Sequence, residues 1–177
     1  MNYRIMLVDD ERNVLKALER VLAAPDRTLE GFTEPLEALK RAHTATFDLV
    51  LTDYRMPGMD GVELLTEFKV LQPDAMRLVL SAYGDLRSIL AAINEAQIYR
   101  YITKPWEDGD LRHAVEKALA YRAMQVENRR LAEQVRSQQS RLARHEAALR
   151  QLEEENPELA RVAWEADGSI WLEEPPE

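Results

Sequence analysis

Residues Leu49 to Gly61, reading LVLTDYRMPGMDG, restrict the fold more than any other stretch of this chain. Leu49-Val50-Leu51 is an apolar run of the kind that fills a strand covered on both faces. It stops at Thr52-Asp53, and Pro57, Gly58 and Gly61 then impose a loop. Asp53 is thus expected at the carboxyl end of a buried strand, where open α/β sheets bind their ligands. Alone, Asp53 reads more readily as a residue that simply caps the loop. What gives it weight is that three other strand ends carry matching polar groups.

Residues 1–120 alternate strand and helix. Ile5-Met6-Leu7-Val8 is the first buried strand and runs into Asp9-Asp10. A helix follows with Val14, Leu15, Leu18, Val21 and Leu22 at helical spacing, ended by Pro25-Asp26. Thr28 to Phe32 alternates poorly and reads as a strand near an edge. Pro35 opens a helix to about Arg41, and the Asp53 strand comes next. A helix from Gly61 to Leu71 stops at Pro73, and Met76 to Ser81 forms a fourth strand. Leu86 to Ala96 reads as a helix and Tyr99 to Thr103 as a fifth strand, with Asp108 or Asp110 capping the last helix. The pattern predicts an α/β fold: a doubly wound, five-stranded parallel sheet of order 2-1-3-4-5 with helices on both faces.

In such a sheet Asp9-Asp10, Asp53, Ser81 and Thr103-Lys104-Pro105 end their strands on one edge. Three carboxylates crowded together need a cation to stay ionised. A site with only oxygen ligands suits Mg²⁺, which keeps several waters and binds one or two carboxylates plus a phosphate. The chain has no cysteine and only three scattered histidines, His43, His113 and His145. A metal, the Lys104 ammonium and the Ser81 hydroxyl around one carboxylate meet the needs of phosphoryl transfer to it. Separately, Lys104 reads as a surface lysine and Ser81 as a helix cap; four strand ends together do not read that way.

Asp9-Asp10, the Asp53-x-x-Met56-Pro57-Gly58-x-Asp60-Gly61 loop, Ser81-Ala82 and Lys104-Pro105 resemble the receiver domains of two-component response regulators over about residues 3–120. The resemblance implies that Asp53 accepts a phosphoryl group from a sensor histidine kinase or phosphotransfer protein, becoming 4-aspartylphosphate. It implies Mg²⁺ ligated by Asp10 and Asp53, with Asp9 assisting and the backbone carbonyl of Arg55 as a further ligand. Ser81 and Lys104 would bind the phosphoryl oxygens, and the Lys104-Pro105 peptide would be cis. Tyr101 falls where the family has its rotameric aromatic switch; the alternative is a half-buried strand tyrosine. Arg55 would screen the phosphoryl group, obstruct the hydrolytic water, or project into solvent.

Beyond the expected receiver (1–120), residues 121–156 read as an extended coiled-coil helix. Tyr121, Met124, Asn128, Leu131, Val135, Gln138, Leu142, His145, Leu149 and Leu152 recur at alternating spacings of three and four. At 1.5 Å per residue this helix would reach roughly 50 Å and needs a partner for its seam. The expectation is a parallel homodimer through Met124, Asn128, Leu131, Val135, Leu142, Leu149 and Leu152, with Asn128 setting the register. Residues 157–177 form an acidic tail. Val162 to Ala166 and Ser169 to Leu172 read as a hairpin around Asp167-Gly168, or the two tryptophans serve a linear motif.

Charge separates the same three regions: a net of −4 over 1–122, +3 over 123–152 and −8 over 153–177. The overall −9 argues against broad nucleic-acid affinity. No signal-peptide pattern opens the chain and no apolar run is long enough to span a membrane, so a soluble cytoplasmic protein is expected. Residues 121–177 hold no recognisable effector motif. The expected function is a phosphorylation-dependent switch, not an enzyme in its own right, whose output is contact with an unidentified downstream protein. The alternative is a phosphotransfer relay or phosphate sink.

Overall fold

A computed structural model describes residues 2–82 and 96–155. The expected helix Leu86 to Ala96, apart from its last residue, and the expected tail hairpin lie outside them. Five strands, β1 (Tyr3–Val8), β2 (Arg27–Phe32), β3 (Leu49–Asp53), β4 (Met76–Ala82) and β5 (Arg100–Lys104), form one sheet. All neighbours are parallel and the order is β2-β1-β3-β4-β5. This is the expected doubly wound order, with poorly alternating β2 on an edge.

Strand alternation sends side chains to two separate cores. Ile5, Leu7, Leu49, Leu51, Leu78 and Leu80 pack with α1 (Arg12–Leu22) and the base of the last helix, α4 (Asp108–Glu155). Met6, Val8, Val50 and Val79 point the other way, onto α2 (Pro35–Ala42) and α3 (Gly61–Leu71). Strands enclosed on both faces must read as continuous apolar runs, which is why they stand out in the sequence.

Local chemistry starts and stops the helices. Pro35 occupies the first turn of α2. Asp60 caps α3: its Oδ1 accepts from the Val62 and Glu63 amides at 2.8 Å, and Glu63 Oε2 accepts from the Asp60 amide at 3.0 Å. α4 begins at Asp108, so Asp108 and Asp110 lie in its first turn instead of capping it. Their charges there face the positive end of the helix dipole.

The chain divides into two compact units, Met1–Glu127 and Asn128–Glu177. In the first, the end of the body is tied by side chains. Arg122 Nη1 meets Asp48 Oδ1 at 2.6 Å and its Nε donates to the Asp74 carbonyl at 3.2 Å. Tyr121 stacks on Tyr99 with ring centroids 5.4 Å apart. Arg77, buried in β4, donates to the carbonyls of Ala75 at 2.7 Å, Ala96 at 2.9 Å and Pro73 at 3.2 Å. In the second unit, helix α4 continues to Glu155. Among the described residues no helix is long and apolar enough to cross a membrane.

Candidate functional site

Four strand ends supply the polar groups at the carboxyl edge of the sheet. Asp9 follows β1, and its amide donates to the Phe32 carbonyl at 3.1 Å, which continues the β1–β2 pairing by one step. Asp53 is the last residue of β3 and lies opposite Leu80 in β4. Ser81 is the next residue of β4 and pairs with Thr103 in β5; Lys104 ends β5. The Lys104-Pro105 peptide is cis.

Lys104 unites the site. Its Nζ lies 2.9 Å from Asp9 Oδ2 and 2.6 Å from Asp53 Oδ1. Burial alone would favour loss of the lysine proton, but the hydrogen bonds it donates to Asp53 and Asp9 outweigh it and hold the pKa above its ordinary value. The Asp9 side chain is wholly buried. That burial raises its pKa, because the Lys104 and Glu11 hydrogen bonds offset the cost only in part and the Asp53 charge adds to it. The Glu11 amide reaches Asp9 Oδ1 at 3.0 Å. Two carboxylates thus share one ammonium, leaving excess negative charge for a cation to neutralise.

The donor set fits a hard divalent ion. Asp10 stands exposed beside buried Asp9, and the side chains of Asp9, Asp10 and Asp53 offer a metal only carboxylate oxygen. Among the described residues no three His, Asp or Glu side chains converge tightly enough to enclose an ion. A cation bound here would complete its shell with water and backbone oxygen, as Mg²⁺ commonly does.

Ser81 provides the other half. Its hydroxyl is buried, and Oγ has no hydrogen-bond partner among the described residues. Buried hydroxyls are normally satisfied, so an orphan beside a charged cluster marks a position for a ligand oxygen.

The loop after Asp53 is built around two glycines. Gly58 adopts φ +81°, a conformation that L side chains rarely take. A Cβ on Gly61 would lie 2.2 Å from the Asp53 carbonyl oxygen, so only glycine lets α3 start against the end of β3. The Gly61 amide closes the loop onto the Tyr54 carbonyl at 2.9 Å, and Tyr54 donates to Leu80 at 2.8 Å.

Of the residues singled out from sequence, Asp9, Asp53 and Lys104 are in direct contact, and Ser81 ends the strand beside Asp53. Asp10 and Arg55 are exposed at the rim. Tyr101, in β5 opposite Val79, is 37% exposed. The seam residues Met124, Leu131, Val135, Leu142, Leu149 and Leu152 are 48–63% exposed in the single chain. Sequence reasoning missed the Asp60 cap, although Asp60-x-x-Glu63 before an apolar run is its signature. It also missed buried Thr52, whose Oγ1 donates to the Asp53 carbonyl at 3.0 Å.

Residues 5–116 match the family model described as the response regulator receiver domain. The hydrogenase transcriptional regulatory protein HoxA of Cupriavidus necator is 36% identical over 135 residues, covering 75% of this chain and 27% of that protein. Sporulation initiation phosphotransferase F of Bacillus subtilis is 32% identical over 119 residues, covering 67% of this chain and 95% of that protein. Among solved structures, the signal receiver domain of an HD domain-containing protein from Pseudomonas fluorescens is 34% identical with TM-score 0.66, over 70% of this chain and 99% of that one. The chain spans about a quarter of the length of the curated transcriptional regulators it matches. Sheet order, family match and relatives agree: the chain belongs to the response regulator receiver domain family.

Proposed function

We propose that Asp53 is the phosphoacceptor of a signalling switch fed by a sensor histidine kinase or phosphotransfer protein. The observation that carries this reading is the Lys104 ammonium held between Asp9 and Asp53, with the orphaned Ser81 hydroxyl at the end of the neighbouring strand. A carboxylate oxygen of Asp53 forms the new P–O bond. The P–N bond of the donor phosphohistidine breaks, and its electron pair returns to the imidazole. Lys104 neutralises charge on the phosphoryl oxygens, and Ser81 donates a hydrogen bond to one of them. Asp9, Asp10, Asp53 and the Arg55 carbonyl are the residues that would hold Mg²⁺, whose contribution is charge neutralisation on the transferring group. Tyr101 then rotates toward the space Ser81 leaves, reshaping the surface around β5.

The test is incubation with a small-molecule phosphodonor and Mg²⁺, read by intact-mass spectrometry. One phosphoryl group is expected on the native chain, none on Asp53→Asn and much less on Asp10→Asn. Equal labelling of Asp53→Asn would overturn the site assignment.

Output is read as protein contact, with residues 121–152 forming a parallel homodimer. Six exposed aliphatic side chains on one heptad seam support this. Covering the exposed half of each contributes about 1 kcal/mol. Parallel pairing sets the two Asn128 side chains opposite each other, where they can hydrogen-bond. A switch of this kind works in the cytoplasm. The match to most of the Bacillus phosphotransferase favours a second reading, a phosphotransfer relay. Pull-downs with phosphorylated and unphosphorylated chain separate the two, because a relay has no state-dependent partner beyond phosphotransfer proteins.

A further inference from the structure

Thr52 stands one residue before Asp53, at a point in β3 where the sheet calls for an aliphatic side chain. Parallel register sets it beside Val8 of β1 and Val79 of β4. Alternation sends it to the same face as Val50, toward α2 and α3. It is wholly buried, as are Leu49, Val50 and Leu51 before it. Valine, which differs only by a methyl in place of the hydroxyl, would suit these neighbours. A buried hydroxyl costs free energy unless it is hydrogen-bonded, so packing alone gives no reason for one here.

The contacts of the hydroxyl lead to the site. Oγ1 donates to the Asp53 carbonyl at 3.0 Å and lies 3.9 Å from Sδ of Met56, the buried residue of the loop. The peptide between Asp53 and Tyr54 is thereby held at both ends. Thr52 holds its carbonyl, and its amide, that of Tyr54, donates to the Leu80 carbonyl at 2.8 Å. A peptide plane fixed at two points cannot swing, whereas one fixed at a single point rocks about the bond that remains. The start of α3 lies against the same carbonyl, since a Cβ on Gly61 would fall 2.2 Å from its oxygen. The Asp53 side chain leaves from the Cα at the edge of this peptide, and its Oδ1 lies 2.6 Å from Lys104 Nζ.

We infer that Thr52 is a positioning residue for phosphoryl transfer: its hydroxyl fixes the Asp53 peptide and so the direction in which the carboxylate attacks. This role rests on the phosphoacceptor reading, and Thr52 acts only through Asp53. Misplacing a reacting group by about 1 Å can cost roughly 100-fold in rate. A peptide that keeps its Tyr54 bond and its lysine contact is displaced less, and a loss of about tenfold is expected.

T52V and T52S separate this role from packing. Valine keeps the shape and lacks the hydroxyl; serine keeps the hydroxyl and leaves a methyl-sized gap beside Val8 and Val79. A role in packing alone ranks serine below valine. The positioning role ranks valine below serine. Labelling by a small-molecule phosphodonor with Mg²⁺, followed by intact mass, should be about tenfold slower in T52V at saturating donor, with the half-saturating donor concentration unchanged. T52S should stay within about twofold of the native rate. Amide hydrogen exchange at Tyr54 should quicken in T52V and keep its native rate in T52S, and this arm needs no phosphoryl transfer. Circular dichroism confirms that both variants are folded. T52V labelled as fast as native chain overturns the role of Thr52 while leaving Asp53 as the acceptor, and so does T52S labelled more slowly than T52V. Native exchange at Tyr54 in T52V overturns it too. A native chain that takes up no phosphoryl group overturns the phosphoacceptor reading, and this role with it.

Discussion

Helix α4 contains two stretches with the same apolar periodicity and opposite fates. Leu111, Ala114, Val115, Ala118 and Leu119 are at most 3% exposed. From Met124 to Leu152 the apolar positions recur at the same spacing but are 48–63% exposed. Propensity and periodicity do not separate the two stretches. The difference is the neighbour: the first lies against the sheet core with α1, and the second has no such surface among the described residues of its own unit. A heptad seam is thus a request for a partner, whereas an amphipathic stripe beside a sheet is already answered.

The largest effect expected from this contrast is in the body. Phe68→Ala, at a fully buried position of α3, should cost about 3–5 kcal/mol in urea unfolding, since the cavity cannot collapse between sheet and helix. A loss below 1 kcal/mol would mean that the body packs loosely. Next comes the seam. Leu131→Glu with Leu142→Glu should raise the dimer dissociation constant by about 100-fold or more, by placing unpaired charge in a dry interface, while the body's unfolding midpoint stays put. Equal light-scattering masses for variant and native chain at micromolar concentration would remove the homodimer.

The smallest effect concerns the body's own surface, where partners are supplied within the chain. Glu30 receives Arg41 Nε at 2.8 Å and also pairs with Arg4. The Arg41 hydrogen bond, aided by Arg4 and opposed by partial burial, lowers its pKa. A carboxylate with a depressed folded pKa contributes stability above its unfolded value, about 4.3, and loses it as pH falls through the folded value. Glu30→Gln should therefore be less stable than native protein at neutral pH and converge with it in acid. Parallel stability curves across that range would show that the network contributes nothing, as many surface pairs do.

β1, β3 and β4 were legible because each holds an apolar run that gives way to a polar residue, and parallel topology gathers those ends, with that of β5, on one edge. The seam was legible from spacing alone. The Arg122–Asp48 pair, the Tyr99–Tyr121 stack and the buried Arg77 were not, since their partners come from distant segments and carry no local pattern. Asp108 and Asp110 misled because an acidic residue suits both a cap and a first turn.

The loop between Asp53 and Gly61 is fastened at both ends, by the Tyr54 amide on Leu80 and by the Gly61 amide on Tyr54, and buried Met56 pins its middle. Arg55, Pro57 and Gly58 are its exposed residues, and Gly58 is held by its backbone conformation. For protein engineering, position 55 offers an exposed side chain two residues along the chain from the proposed phosphoacceptor. On the proposed reading, a change in its size or charge is expected to alter how long a phosphoryl group survives on Asp53, while the fastened loop keeps its ends on Leu80 and Tyr54.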